Sequence, residues 1–128
     1  MFFHQRFIPG LAIASYMVGD EKARSVAVID PTRDVDEYVR IAKEEGLHIT
    51  HILETHVHAD YVSGSAELKA RLGGEPKVVV SGMGGSPGTL AADAAEARRL
   101  GATELRLYHA GLASDGDLEA VRSALAGR

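Results

Sequence analysis

Ser25-Val26-Ala27-Val28-Ile29-Asp30-Pro31 is an apolar run without polar alternation, closed by a dipeptide that starts turns. Such a run predicts a strand buried on both faces. Immediately after it, Asp34 stands where a helix N-cap belongs, Val35, Tyr38, Val39 and Ala42 recur at helical spacing, and Gly46 supplies a stop. A further apolar run, Ile49 to Glu54, comes next. Strand, helix and strand in that order predict parallel strands joined by a right-handed crossover.

Toward the N-terminus, Phe2 to Phe7 and Leu11 to Val18 are short and apolar-rich, separated by Pro9-Gly10, and Gly19 to Lys22 turns the chain into the Ser25 run. This reads as an antiparallel hairpin at one edge of the sheet. Toward the C-terminus, Ser63 or Ser65 starts a helix through Leu68 and Leu72 that Gly73-Gly74 ends, and Pro76 to Val80 is a further buried strand. Ser86-Pro87 opens an alanine-rich helix from Leu90 to Leu100, stopped by Gly101. Glu104 to His109 alternates as a strand, and Ser114 with Asp115 opens a last helix through Leu118, Val121 and Leu125. The expected fold class is α/β, a mixed sheet with an N-terminal antiparallel hairpin followed by parallel β-α units, in one domain over residues 1–128.

A chain of 128 residues, 45% hydrophobic and 25% charged, is long enough to bury one real core. Its net charge of −4, with Lys and Arg scattered among acids, supplies no basic face for nucleic acid or anionic lipid. A small molecule is the partner that remains. The absence of cysteine excludes disulfides, thiolate nucleophiles and Cys-type zinc sites. Met1 is followed by no basic leader and no apolar core, and no run approaches the length of a membrane span, so the cytoplasm is the expected address.

The chemistry gathers at Thr55-His56-Val57-His58-Ala59-Asp60-Tyr61, directly after the Ile49 to Glu54 strand. Alternation along an extended chain sends His56 and His58 to one side, where two neutral imidazoles can share an ion. Parallel strands end at a common rim, so Asp30, His56, His58, the loop from Ser81 and His109 are all expected there. His109 is the candidate third ligand if its strand lies close enough. Asp30 reads either as a second-shell carboxylate or as a turn residue, while His4, His48 and His51 read as structural or solvated. Asp115 and Asp117 read as helix-capping residues. The Gly82 to Gly88 loop, between a strand and a helix, offers backbone amides to phosphate but lacks both the dinucleotide and the P-loop pattern.

From about Tyr16 to Gly73, the runs Tyr16 to Glu21, Ala27 to Val35 and Leu53 to Gly64 resemble the metallo-β-lactamase superfamily, and within it the persulfide dioxygenase and rhodanese-associated branch related to glyoxalase II. The resemblance implies half of an αββα sandwich and one ion, zinc or iron, with iron belonging to the dioxygenase branch. It makes His56 and His58 metal residues and Asp60 a second-site or organising carboxylate, the candidate catalytic residue. Two departures accompany it: Tyr61 stands where many members carry a histidine, and no Pro-Gly-His-Thr segment occurs. Residues 1–81 form the family-like half, and residues 82–128 read as a β-α extension of different ancestry that resembles, weakly, a unit of a (β/α) barrel.

The functional expectation is a half-domain, recombined or engineered near Ser81 to Gly88, that retains metal-binding residues with weak or no catalysis. The alternatives are an active metal-dependent hydrolase or persulfide dioxygenase acting on a small molecule, and an anion-binding module using Gly82 to Gly88. A half-sandwich also leaves an apolar sheet face, so two copies are expected to pair as a homodimer.

Overall fold

Strands β1 (Phe2–Ile8), β2 (Ile13–Asp20), β3 (Ser25–Ile29), β4 (His48–Glu54), β5 (Lys77–Gly82) and β6 (Glu104–Leu107) form one sheet in sequential order. Helices α1 (Val35–Glu44), α2 (Ser65–Arg71), α3 (Pro87–Arg99) and α4 (Asp115–Ala126) complete the chain. The structure is a computed structural model and describes residues 1–82, 87–107 and 114–126. β1 to β3 pair antiparallel and β3 to β6 pair parallel, as the mixed-sheet reading predicts.

Parallel strands that advance in one direction through right-handed crossovers place their connecting helices on one face. The core follows from this. One row of the sheet, Met17, Val28, Ile52 and Val78 in register, points under the helices and is buried. Tyr38, Ile41 and Ala42 of α1 and Leu68 of α2 close over it. Each such side chain contributes about 1.5–3 kcal/mol by leaving water.

The next row, Tyr16, Ile29, Leu53 and Val79, faces the other way. Among the described residues no second layer covers that face, and Phe3 and Phe7 on β1 are 57% and 59% exposed. The expectation that β3 is buried on both faces is therefore corrected: Val26 and Val28 are buried, whereas Ser25, Ala27 and Ile29 are only partly so. Continuous apolar sequence signals an intended second layer as readily as an existing one.

Local signals hold with three further corrections. Gly46, Gly73, Gly74 and Gly101 take positive φ where helices end, as their type predicts. Asp34 precedes α1 but makes no side-chain cap, because its carboxylate pairs with Arg6 at 2.6 Å. β2 starts at Ile13 rather than Leu11, since the hairpin turn runs on to Ala12, which has φ 51°. On α4 only Val121 of the expected stripe is buried; Leu118 and Leu125 are exposed, as that helix packs against α3 at the sheet edge. Ser114 and Asp117 cap each other reciprocally, the Asp117 N–H donating to Ser114 Oγ at 3.2 Å and the Ser114 N–H to Asp117 Oδ2 at 2.8 Å. The Ser114 hydroxyl, donating to Asp117 Oδ2 at 2.7 Å, and then the Ser114 N–H hold the Asp117 carboxyl below its ordinary range.

Candidate metal centre

The centre is built where β3 and β4 end side by side. The Asp30 N–H donates to the Leu53 carbonyl at 2.8 Å, which extends the parallel ladder by one bond and sets Asp30 beside the start of the histidine loop. Asp30 has φ 50°, a left-handed conformation that Asp tolerates better than most residues and that turns the chain out of the sheet. Its carboxylate then captures Thr55: Oδ1 accepts the backbone N–H at 2.8 Å and Oδ2 accepts the hydroxyl at 2.7 Å.

That capture reaches the first histidine. The Thr55 hydroxyl has one proton, which goes to Asp30, so at the 2.9 Å contact between Thr55 Oγ1 and His56 Nδ1 the imidazole is the donor. His56 is thereby held as the Nδ1–H tautomer, with the lone pair on Nε2. Asp30 thus orients His56 through Thr55, while its Oδ1 also faces His58.

Strand β4 stops at Glu54, so the His-x-His pair lies on a loop and the alternation rule does not govern it. The rings still come together, with centroids 4.1 Å apart and planes tilted by 44°. They face different neighbours. His58, with its side chain 8% exposed, puts Nε2 3.1 Å from Asp30 Oδ1 and 3.7 Å from Glu54 Oε2, and Nδ1 3.6 Å from Asp60 Oδ1. Asp60 is itself largely exposed, at 65%. His109 lies outside the described residues, as do residues 83–86 of the loop considered for anion binding.

Glu54 is the residue that sequence reasoning missed. It ends β4 on the buried row, two positions beyond Ile52, and is 2% exposed. Its Oε1 accepts the hydroxyls of Ser63 and Ser65, the serines expected to start α2. Burial pushes its carboxyl above the ordinary 4.5, the nearby Asp30 carboxylate adds to this, and the two hydroxyls oppose it. A readable signal existed: a carboxylate on the core face of a strand, with no basic residue in phase to neutralise it.

Among the described residues, four buried side-chain atoms lack a hydrogen-bond partner: Glu54 Oε2, His58 Nε2, Tyr61 Oη and Asp117 Oδ1. The first three belong to residues lining one cavity of about 360 Å³, which α3 walls with Glu96, Arg99 and Leu100. The approach of His58 to Asp30 is close but lacks hydrogen-bonding geometry, so Nε2 stays unpartnered. One donor atom each from Asp30, Glu54 and His58 lies within 4.8 Å of the other two. Ligands about 2.1 Å from a tetrahedral ion stand roughly 3.4 Å apart, between the 3.1 Å and 3.7 Å that separate His58 Nε2 from Asp30 and Glu54. Two orphaned donors and a third already polarised by Thr55 therefore fit a cation. His56 falls outside this group of three, although its ring adjoins it.

A six-stranded α/β sheet with carboxylate and imidazole donors converging at the carboxyl ends of its parallel strands defines the class of protein. Residues 8–84 match the profile described as Metallo-beta-lactamase superfamily, and the chain belongs to that superfamily. It is 31% identical over 98 residues to the mitochondrial persulfide dioxygenase ETHE1 of Homo sapiens, a match covering 76% of this chain and 38% of that protein. Among solved structures it is similar to a metallo-beta-lactamase from Staphylococcus aureus, with 43% identity, TM-score 0.60, and coverage of 67% of this chain and 25% of the other. ETHE1 from Myxococcus xanthus superposes with TM-score 0.57 at 36% identity, covering 62% and 35% respectively. The chain thus spans between about a quarter and two fifths of the length of these relatives. No described helix is long and apolar enough to cross a membrane.

Proposed function

We propose that this chain is a metal-binding half-domain of metallo-β-lactamase fold that takes one zinc or iron ion and has weak or no turnover of its own. The observation that carries this is the pair of orphaned buried atoms, Glu54 Oε2 and His58 Nε2, 3.7 Å apart with Asp30 Oδ1 beside them. Glu54 and His58 would hold the ion directly. Asp30 contributes an oxygen while anchoring Thr55, and His56, with its tautomer set, is the adjacent nitrogen. Imidazole with carboxylate suits either metal. A bound ion would polarise an oxygen or sulfur of a small molecule and lower the pKa of a bound water to about 7. Asp60, within reach of His58 Nδ1, orients that imidazole, and His109 remains a candidate further ligand. The family profile ends at residue 84, beside the Ser81 to Gly88 join of the recombined reading, whereas the match to ETHE1 over 76% of the chain runs past that join and speaks against it.

The second reading is an active enzyme, a persulfide dioxygenase like ETHE1 or a hydrolase like the hydroxyacylglutathione hydrolase of Pelagibacter ubique, which is 34% identical over 59 residues. The match to ETHE1 over 76% of the chain favours it.

Cobalt(II) titration of metal-free protein, followed by the visible spectrum, tests the metal reading. One equivalent should bind to the wild type, and Glu54→Gln with His58→Ala should abolish saturation. Equal uptake by wild type and double variant overturns the proposal. Consumption of oxygen with a persulfide, or hydrolysis of a glutathione thioester, by the loaded protein at a catalytic rate would promote the second reading.

A further inference from the structure

Tyr61 carries the third orphaned buried atom of the cavity, and nothing in the metal reading uses it. Its ring lies against His58, centroids 4.4 Å apart and planes tilted by 51°, so packing fixes the side chain while the hydroxyl is buried without a hydrogen-bond partner. Its neighbours on the same wall are engaged with carboxylates. The Ser63 hydroxyl goes to Glu54, and Arg99 pairs with Glu96 at 2.5 Å. The Tyr61 hydroxyl, by contrast, is buried with its proton still to give. A phenol hydroxyl donates one hydrogen bond and, while it keeps that proton, is a poor metal ligand. A cavity of about 360 Å³ is at the small end of the range that encloses small molecules.

We propose that Tyr61 anchors a small carboxylate ligand in this cavity, donating its hydroxyl proton in a hydrogen bond to a carboxylate oxygen beside the Glu54 and His58 donors. This inference rests on the metal reading, because the ion supplies the positive charge that draws an anion among three acidic side chains. The phenol adds a short charge-assisted bond that water would otherwise replace. Tyrosine in place of a histidine after Asp60 thus gives this chain a ligand-binding hydroxyl on the cavity wall.

The test is acetate titration of the cobalt(II)-loaded protein, read from the visible spectrum, for wild type and Tyr61→Phe. Phenylalanine preserves the ring against His58 and removes only the hydroxyl. Cobalt affinity should stay within about twofold, while acetate should bind roughly tenfold more weakly to the variant. Equal acetate affinities with cobalt bound to both proteins overturn this inference alone. Loss of cobalt from Tyr61→Phe also overturns it, by making the phenol a metal ligand. A wild type that takes up no cobalt ends the metal reading and this inference together. A Tyr61→Trp variant, which fills the cavity without restoring a hydroxyl at that place, should likewise lose acetate binding; retention of wild-type affinity there counts against the inference.

Discussion

Gly64 donates its backbone N–H to the Pro31 carbonyl at 2.8 Å, and this bond clamps together the two loops that carry Asp30 and His58. A Cβ at Gly64 would collide with the Thr32 carbonyl, its carbon only 2.7 Å away, and crowd Val35 Cγ1 at 3.1 Å. Both loops are backbone at the point of contact, so neither can yield by rotating a side chain. The site exists because a glycine lets two main chains touch.

Gly64→Ala should therefore cost about 1–3 kcal/mol of stability and weaken metal binding together, since the loops must part to admit the methyl group. Urea denaturation and cobalt titration of the same preparation check this. A variant with unchanged midpoint and unchanged affinity would show that the loops are not tightly clamped.

Glu54→Gln should stabilise the metal-free protein while destroying its metal site. The folded carboxyl has a raised pKa, so the wild type holds more protons folded than unfolded once the pH exceeds the ordinary 4.5. Wild-type stability then falls as pH rises through the folded value, a loss absent below 4.5 and complete only above the raised folded value. Glutamine keeps an acceptor for Ser63 and Ser65 and has no charge to bury. Thermal melts at several pH values between 4 and 8 should show the variant gaining on the wild type as pH increases; a constant difference would contradict the assignment.

Thr55→Val keeps the shape of the loop and the backbone bond to Asp30 but cuts the hydroxyl chain from Asp30 Oδ2 to His56 Nδ1. Losing such an orienting partner should lower metal affinity about 10–100-fold. If cobalt binds Thr55→Val as tightly as wild type, His56 takes no part in holding the ion.

Beneath the Asp30 loop, the Tyr38 hydroxyl donates to Ser15 Oγ at 2.9 Å and accepts the Thr32 N–H at 3.0 Å, while the Ser15 hydroxyl donates to the Ile29 carbonyl at 2.8 Å. Arg6 lies 5.4 Å over the Tyr38 ring and donates to Thr32 Oγ1. Tyr38→Phe leaves the buried Thr32 N–H unpaired and should cost about 1–3 kcal/mol, with the loss appearing in the urea midpoint. Amide exchange at Thr32 should accelerate in the same variant, which locates the damage at the loop rather than in the core.

Much of the fold was legible because its signals are local. Glycines end helices where they can take positive φ, and alternation or continuous apolarity marks strands, so Gly46, Gly73 and Gly101 and the runs at Val26, Ile52 and Val78 fell into place. The histidine motif was placed at the right rim for the same reason. The donor set was less legible. His56 and His58 stood out as the pair, yet His58 works with Asp30 and Glu54, one read ambiguously and the other as the last residue of an apolar run. The capping role expected of Asp34 failed because Arg6, twenty-eight residues earlier, outcompetes an N–H for its carboxylate.

By itself the sequence determined the order of helices and strands, the change from antiparallel to parallel pairing after Ser25, and the arrival of two imidazoles at the end of β4. Only the tertiary structure decided that all strands pair in sequential order, that among the described residues no second layer covers one sheet face, and that a carboxylate from the end of β3 stands 3.1 Å from an imidazole twenty-eight residues later. The physical reason is the range of the interactions involved. Propensity and period act within a few residues, whereas a metal centre needs charges whose proximity is set by interstrand hydrogen bonds and by a glycine permitting two loops to meet.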